Sequence, residues 1–168
     1  MLVFGSQRHR LTAMGCATKL VQVMDIASEK PITTDEFRNR LVELCLRSGM
    51  TGLPRKPRDR HILLKSITLG FDPKREYAEN EVDQELLWWL REVGIDIHVD
   101  HVNLRRQLID HAYLGRTKDG SRYWVGLHVP VHPVYEPGIQ DLDLPEEIRM
   151  GKELIERRKQ EYLRRISG

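Results

Sequence analysis

The Lys118-Asp119-Gly120-Ser121 turn is the feature that most narrows what this chain can become. An Asp-Gly pair between two strand-like runs, 113–117 and 122–125, predicts a tight β-hairpin. Such a turn needs left-handed backbone, which glycine adopts without penalty. Three amphipathic blocks precede the hairpin and fix its context. In the first, Pro57 suits an opening helical turn, where its missing amide costs nothing. Ile62, Leu63, Leu64 and Ile67 give that helix an apolar face, and Gly70-Phe71-Asp72-Pro73 breaks it. The second block, 79–93, opens on Glu79, Glu81, Asp83 and Glu85, which complement the helix dipole, and buries Val82, Leu86, Trp89 and Leu90. Gly94 ends it. Ile95, Ile97 and Val99 then alternate with polar residues, as a short strand or an extended linker would. Asp100 is a good N-cap for a third helix reaching about residue 112. Three helices followed by a hairpin is the order of a winged helix.

The flanks read as helical additions. Leu11, Met14, Leu20, Val21 and Met24 recur at near-helical spacing and predict a helix over 9–28. Thr33 with Glu36 has the spacing of a capping box. Phe37, Leu41, Leu44 and Cys45 make one face of the helix that follows, and Gly49 suits its end. After the hairpin, Val125, Leu127, Val129 and Val131 alternate with His128 and His132, but Pro130 and Pro133 restrict this stretch to an edge strand or an extended arm. Asp143-Leu144-Pro145-Glu146-Glu147 starts a long final helix running to about residue 166. The expected fold is therefore mainly α with a small β-hairpin (α+β). It comprises an N-terminal helical segment (1–50), a winged-helix core (51–126), and an extended arm with a C-terminal helix (127–168).

Helical geometry separates two adjacent arginines in the third helix. At 100° per residue, Leu104, Leu108, Ile109 and Ala112 converge on one side with Arg105 among them. Arg105 is thus expected half-buried and paired with an acid of the second helix, since a buried guanidinium needs a partner. Asn103, Arg106 and Gln107 point outward, with the residue types that read base edges or hold phosphate. Asp110, four residues beyond Arg106, could instead pair with it. The hairpin adds Arg116, Lys118 and Arg122, which suit a phosphate-gripping wing and would equally keep an exposed hairpin soluble. Tyr123 and Trp124 are expected as core anchors rather than base-stacking groups. The connector before the first helix carries the densest basic cluster, Arg55, Lys56, Arg58 and Arg60, which could contact phosphate or simply be solvated.

Composition limits the alternatives. Across 168 residues, Lys and Arg number 27 against 25 acids, a formal net charge of +2, so any basic surface must come from local clustering. The two cysteines, Cys16 and Cys45, form no CxxC pair, which fits a reducing cytoplasm. No secretory signal and no membrane-spanning run is expected. P-loop, GxSxG, HExxH and GxGxxG motifs are absent, so no catalytic residue, cofactor or small-molecule ligand is assigned. Histidines 98, 101, 128 and 132 do not offer the three or four converging ligands of a metal site. The final helix repeats Ile148, Ile155 and Tyr162 every seven residues, a pattern that could pair two subunits or pack on its own domain.

Several local runs together resemble a bacterial family, domain of unknown function 2087. The likeness begins at Leu53-Pro54-Arg55-Lys56 with Asp59-Arg60 and Leu63-Leu64, continues through Tyr77 and Glu81-Val82, and takes in 100–110. It closes over 113–124, so that about 53–125 is covered. Ala78 departs from it, standing where the family has a helix-capping Thr or Ser, and 90–99 is longer than the family's linker. The resemblance implies a winged-helix module associated with transcriptional regulators and assigns no ligand. Together with the local basic clusters it leads to the expectation of a non-catalytic regulator that binds double-stranded DNA as a homodimer. A winged helix used for protein–protein interaction is the alternative.

Overall fold

The computed structural model describes residues 30–46, 50–126 and 132–167. The helix expected over 9–28, the Gly49 cap and His128 lie outside them. Among the described residues the architecture is α+β: five α-helices and two small two-stranded sheets. In chain order these are α1 (Thr34–Cys45), β1 (Met50–Thr51), α2 (Pro57–Thr68), α3 (Glu79–Glu92), β2 (Ile97–His98), α4 (His101–Asp110), β3 (Leu114–Arg116), β4 (Tyr123–Val125), a 3-10 turn (Pro137–Asp141) and α5 (Leu144–Ile166).

The helices begin where side chains can satisfy their first amides. Thr33 accepts from Glu36 N at 3.2 Å, Asp100 from Asn103 N at 2.8 Å and Asp143 from Glu146 N at 3.2 Å. The reciprocal half of the first capping box is missing, because the Glu36 carboxylate turns to Arg58 instead. At α3 the opposite half is present. Ala78 has no oxygen to offer, yet its amide donates to the Glu81 carboxylate at 2.7 Å, so the helix starts cleanly despite the lost cap.

The wing is β3 paired antiparallel with β4, Gly115 opposite Trp124. Gly120 takes the left-handed backbone (φ 73°) that the Asp-Gly turn requires. Tyr77, between α2 and α3, forms an antiparallel bridge with Tyr123, exchanging two 2.8 Å hydrogen bonds. Helix, bridging residue, helix, helix and hairpin follow in the order expected of a winged helix. A second contact was not foreseen: β1 and β2 pair in parallel, Met50 with Ile97 and Thr51 with His98, so the connector enters beside the loop that leads into α4.

One continuous core holds these elements. Ile62, Leu63 and Leu64 of α2, Val82, Leu86 and Trp89 of α3, Leu104 and Leu108 of α4, and Tyr123 of the wing are all at most 2% exposed. Phe37 and Leu41 of α1, Ile139 of the 3-10 turn and Ile148 of α5 belong to the same cluster. α1 and α5 lie side by side, with Arg38 bonded to Glu147 at 2.9 Å and Gly151 against Val42 so closely that no Cβ would fit. Among the described residues no helix is long and apolar enough to cross a membrane.

Candidate nucleic-acid interface

The outward side of α4 follows from how its inward side is held. Leu104 and Leu108 are fully buried, and Arg105 beside them keeps only 12% of its side chain exposed. Its guanidinium donates to Asp83 and, at 2.5 Å, to Glu79, both on α3, and lies 5.8 Å from the centre of the Tyr123 ring. Burial works against its charge, but the two carboxylates outweigh it and raise the pKa. Arg105 therefore fixes α4 against α3 and the wing, as its position in the helix foretold.

With that side anchored, Asn103 and Arg106 face solvent and Gln107 is half-exposed. Arg106 and Asp110 are not joined by an ion pair, so Arg106 keeps its donors toward solvent. The wing strand follows α4 after a short left-handed turn at Ala112 (φ 58°). Arg116 and Lys118 are exposed on the wing, whereas Arg122 is bonded to Glu76 at 2.9 Å, both side chains being more than half exposed. The wing tip is braced by Asp119, which accepts from Thr117 Oγ1, Ser121 N and Ser121 Oγ. These bonds hold its carboxyl down at about 2.

Residues 49–125 match the model of a family described as an uncharacterized protein conserved in bacteria, DUF2087. This segment is similar to DUF2087 domains. No curated protein and no solved structure matches the chain. The matched segment spans the connector, α2 to α4 and the wing, leaving α1, the 3-10 turn and α5 as additions that share its core.

Within the matched segment the basic run 55–60 does not present its four cations alike. Arg55 and Lys56 are exposed. Arg58 instead clamps α1, gripping Glu36 with two hydrogen bonds of 2.6 and 2.7 Å and donating to the Lys30 and Pro31 carbonyls. Arg60 donates to the carbonyls of Pro54 and Arg55 at 3.2 and 3.1 Å and so pins the connector. A third arginine, Arg40 of α1, holds the buried Asp59 through two 2.7 Å bonds, and its guanidinium pulls that carboxyl below the usual range. Sequence spacing had no means of linking Arg58 to an acid 22 residues away, so the densest basic run looked more available than it is.

Two more placements differ from expectation. Tyr123 is a core anchor at 1% exposure, but Trp124 is 36% exposed and covers Gly115, where an added Cβ would collide with the indole. His132 is buried, not on the solvent side of an alternating strand. Its ring stacks on Tyr113 at 4.1 Å and its Nε2 meets the His111 carbonyl at 2.6 Å. Beside it, His61 Nδ1 lies 2.8 Å from the Tyr113 hydroxyl, which lies 2.7 Å from the Tyr135 hydroxyl, which in turn is 3.0 Å from the His61 carbonyl. One proton ordering, each group donating to the next, satisfies every link. Burial and the neighbouring histidines push His61 down to about 4. This cluster fastens His132 and Tyr135 to α2, next to a cleft of about 320 Å³ lined by Lys65, Thr68 and Gln140 among others.

Proposed function

We propose that the chain binds double-stranded DNA through α4 and the wing and acts as a transcriptional regulator without catalytic activity, with two copies meeting two half-sites. The observation that carries this reading is the division of labour on α4. Arg105 ties the helix down, while Asn103, Arg106 and Gln107 face outward beside Arg116 and Lys118. A rigid helix with cation and amide side chains on its free face, flanked by a basic hairpin, has the chemistry to read base edges and hold phosphate. Arg55 and Lys56 extend the set of solvated cations; Arg122 joins it once Glu76 is displaced; Arg58 and Arg60 support the connector.

The test is binding to random duplex DNA across a salt series. Affinity should fall steeply as salt rises, since each neutralised phosphate releases counterion. Arg106→Ala should weaken binding by about fivefold, roughly 1 kcal/mol, and Lys118→Ala should reduce the salt slope by about one, both with unchanged melting temperature. Binding that is absent or flat with salt would turn the reading to its alternative, a module for protein partners. The exposed Leu87 and Trp88 and the acidic composition of α3 favour that alternative.

A further inference from the structure

Lys65 of α2 is a cation without an anion. It is half-buried on the wall of the cleft of about 320 Å³ beside the His61–Tyr113–Tyr135 cluster. Its ammonium lies 5.8 Å from the centre of the Tyr135 ring, and among the described residues it makes no ion pair and no hydrogen bond. Burial works against its charge and lowers its pKa. The half-buried arginines Arg40, Arg58 and Arg105, by contrast, each meet a carboxylate. One acid lines the same cleft, Glu136, but its carboxylate accepts from the Thr34 amide at 2.6 Å and is not paired with Lys65. The tyrosine hydroxyls are spent as well, Tyr113 on Tyr135 and Tyr135 on the His61 carbonyl. What is left for a guest is the Lys65 ammonium, the exposed side-chain amide of Gln140, and carbon surface from Val125 at the end of the wing and the fully buried Ile139 of the 3-10 turn.

We propose that this cleft binds a small organic monoanion, a carboxylate with a short apolar body, whose charged end meets the Lys65 ammonium and whose body lies against Val125 and Ile139. A cation held partly out of water gains most from a partner that brings the missing charge to it. The ligand should carry one negative charge rather than two. Among the described residues no arginine lines the cleft, so nothing there offers the two-pronged grip that phosphate groups favour, and the Glu136 carboxylate opposes a second negative charge. The volume is at the small end for a ligand site, which suits a single ring or a short chain. Apolar walls with a few polar groups at one end are the usual construction of such sites.

Ligand binding here does not depend on DNA, and duplex is left out of the test so that the two readings fail separately. The full chain is titrated with acetate, butyrate, benzoate and phenylacetate, each beside its uncharged amide, and followed by backbone amide shifts in NMR spectra. At least one carboxylate should bind saturably with a millimolar or tighter Kd and shift the amides of Lys65, Val125 and Ile139, while its uncharged counterpart binds at least about tenfold more weakly. Lys65→Met should weaken that carboxylate by about tenfold and melt no lower than the parent, because it removes a desolvated cation and not an ion pair. Lys152→Met, at an exposed lysine of α5, should leave the affinity unchanged. If Lys65→Met does not fold, the comparison of carboxylate with amide still decides. No saturable binding of any of the four up to about 20 mM, equal affinity for acid and amide, or an affinity unaltered in Lys65→Met would overturn the proposal. The first of these outcomes leaves the cleft to the chain's own residues 127–131, which join two of its lining residues, Gly126 and His132.

Discussion

The connector and the α4–wing surface are both rich in arginine, and they use it in opposite ways. In the connector and the helices around it, Arg40 and Arg58 find carboxylates that tie α1 to α2, and Arg60 finds two carbonyls that pin the connector. On α4 and the wing, Arg105 holds the helix down and Arg122 makes an exposed pair with Glu76, leaving Arg106, Arg116 and Lys118 in solvent. The difference lies in the acids rather than the bases. Asp59 and Glu36 stand within reach of the first set; Glu79 and Asp83 are both taken by Arg105. Basic residues close together in sequence thus say little about basic surface until the partners are placed.

Arg105 and Arg106 give the sharpest contrast, being adjacent, identical and oppositely employed. Arg105→Ala should cost about 3 kcal/mol, because Asp83 and Glu79 lose their cation together and the Tyr123 ring loses its cover. For a chain of this size that corresponds to a fall in melting temperature of roughly 6–12 °C. Arg106→Ala should cost less than about 0.5 kcal/mol. Equal shifts in a thermal melt would abolish the distinction between the two positions.

On the connector side the same comparison runs between Arg58 and Arg55. Removing Arg58 should lower stability by about 2 kcal/mol, seen as a lower urea midpoint at unchanged slope, since a partly buried Glu36 and two carbonyls lose their donor. Arg55→Ala should leave the midpoint where it is. A midpoint that moves for Arg55 and not for Arg58 would reverse the roles assigned to the two.

Asp59 adds a pH signature to that side, worth about 1–2 kcal/mol. Arg40 depresses its pKa in the folded protein, so the folded state binds this proton less readily than the unfolded chain does. The stabilisation is complete above the ordinary aspartate value and is lost as pH falls below it. Denaturation curves of the parent and Arg40→Ala should therefore differ most near neutrality and draw together in acid. A gap that stays constant with pH would mean that the pair contributes through packing alone.

Much of this was legible in the sequence because it is local. Caps at Thr33, Asp100 and Asp143, proline at the start of α2, the Asp-Gly turn and the buried faces of all the described helices depend on neighbours within a few residues. Arg105 could be assigned because α3 and α4 are consecutive and a half-buried guanidinium needs an acid. What stayed hidden depends on distant partners. The parallel β1–β2 pair joins residues 47 apart in sequence, and Arg58 reaches back to α1. His132 belongs to an alternating sequence whose polar side should face water, yet its ring packs on Tyr113 and His61, which only the packed structure could reveal.

The smallest expected effect concerns the joint between the two halves of the proposed DNA surface. Ala112 ends α4 in the left-handed region, where its Cβ crowds the backbone at a cost of about 1–2 kcal/mol. Its position is where a glycine ordinarily terminates a helix, and Tyr113 N closes the turn on Leu108 O at 2.8 Å. Ala112→Gly relieves that strain but frees the unfolded chain by about 0.4–1 kcal/mol, so a net gain of about 0.5 kcal/mol is expected in a urea titration. No charge changes, and the angle between α4 and the wing is already the one glycine would adopt. If that surface acts through its solvated cations on a fixed frame, DNA affinity should match the parent's while stability rises. An affinity that drops with this substitution would mean that the strained alanine itself holds the wing in register.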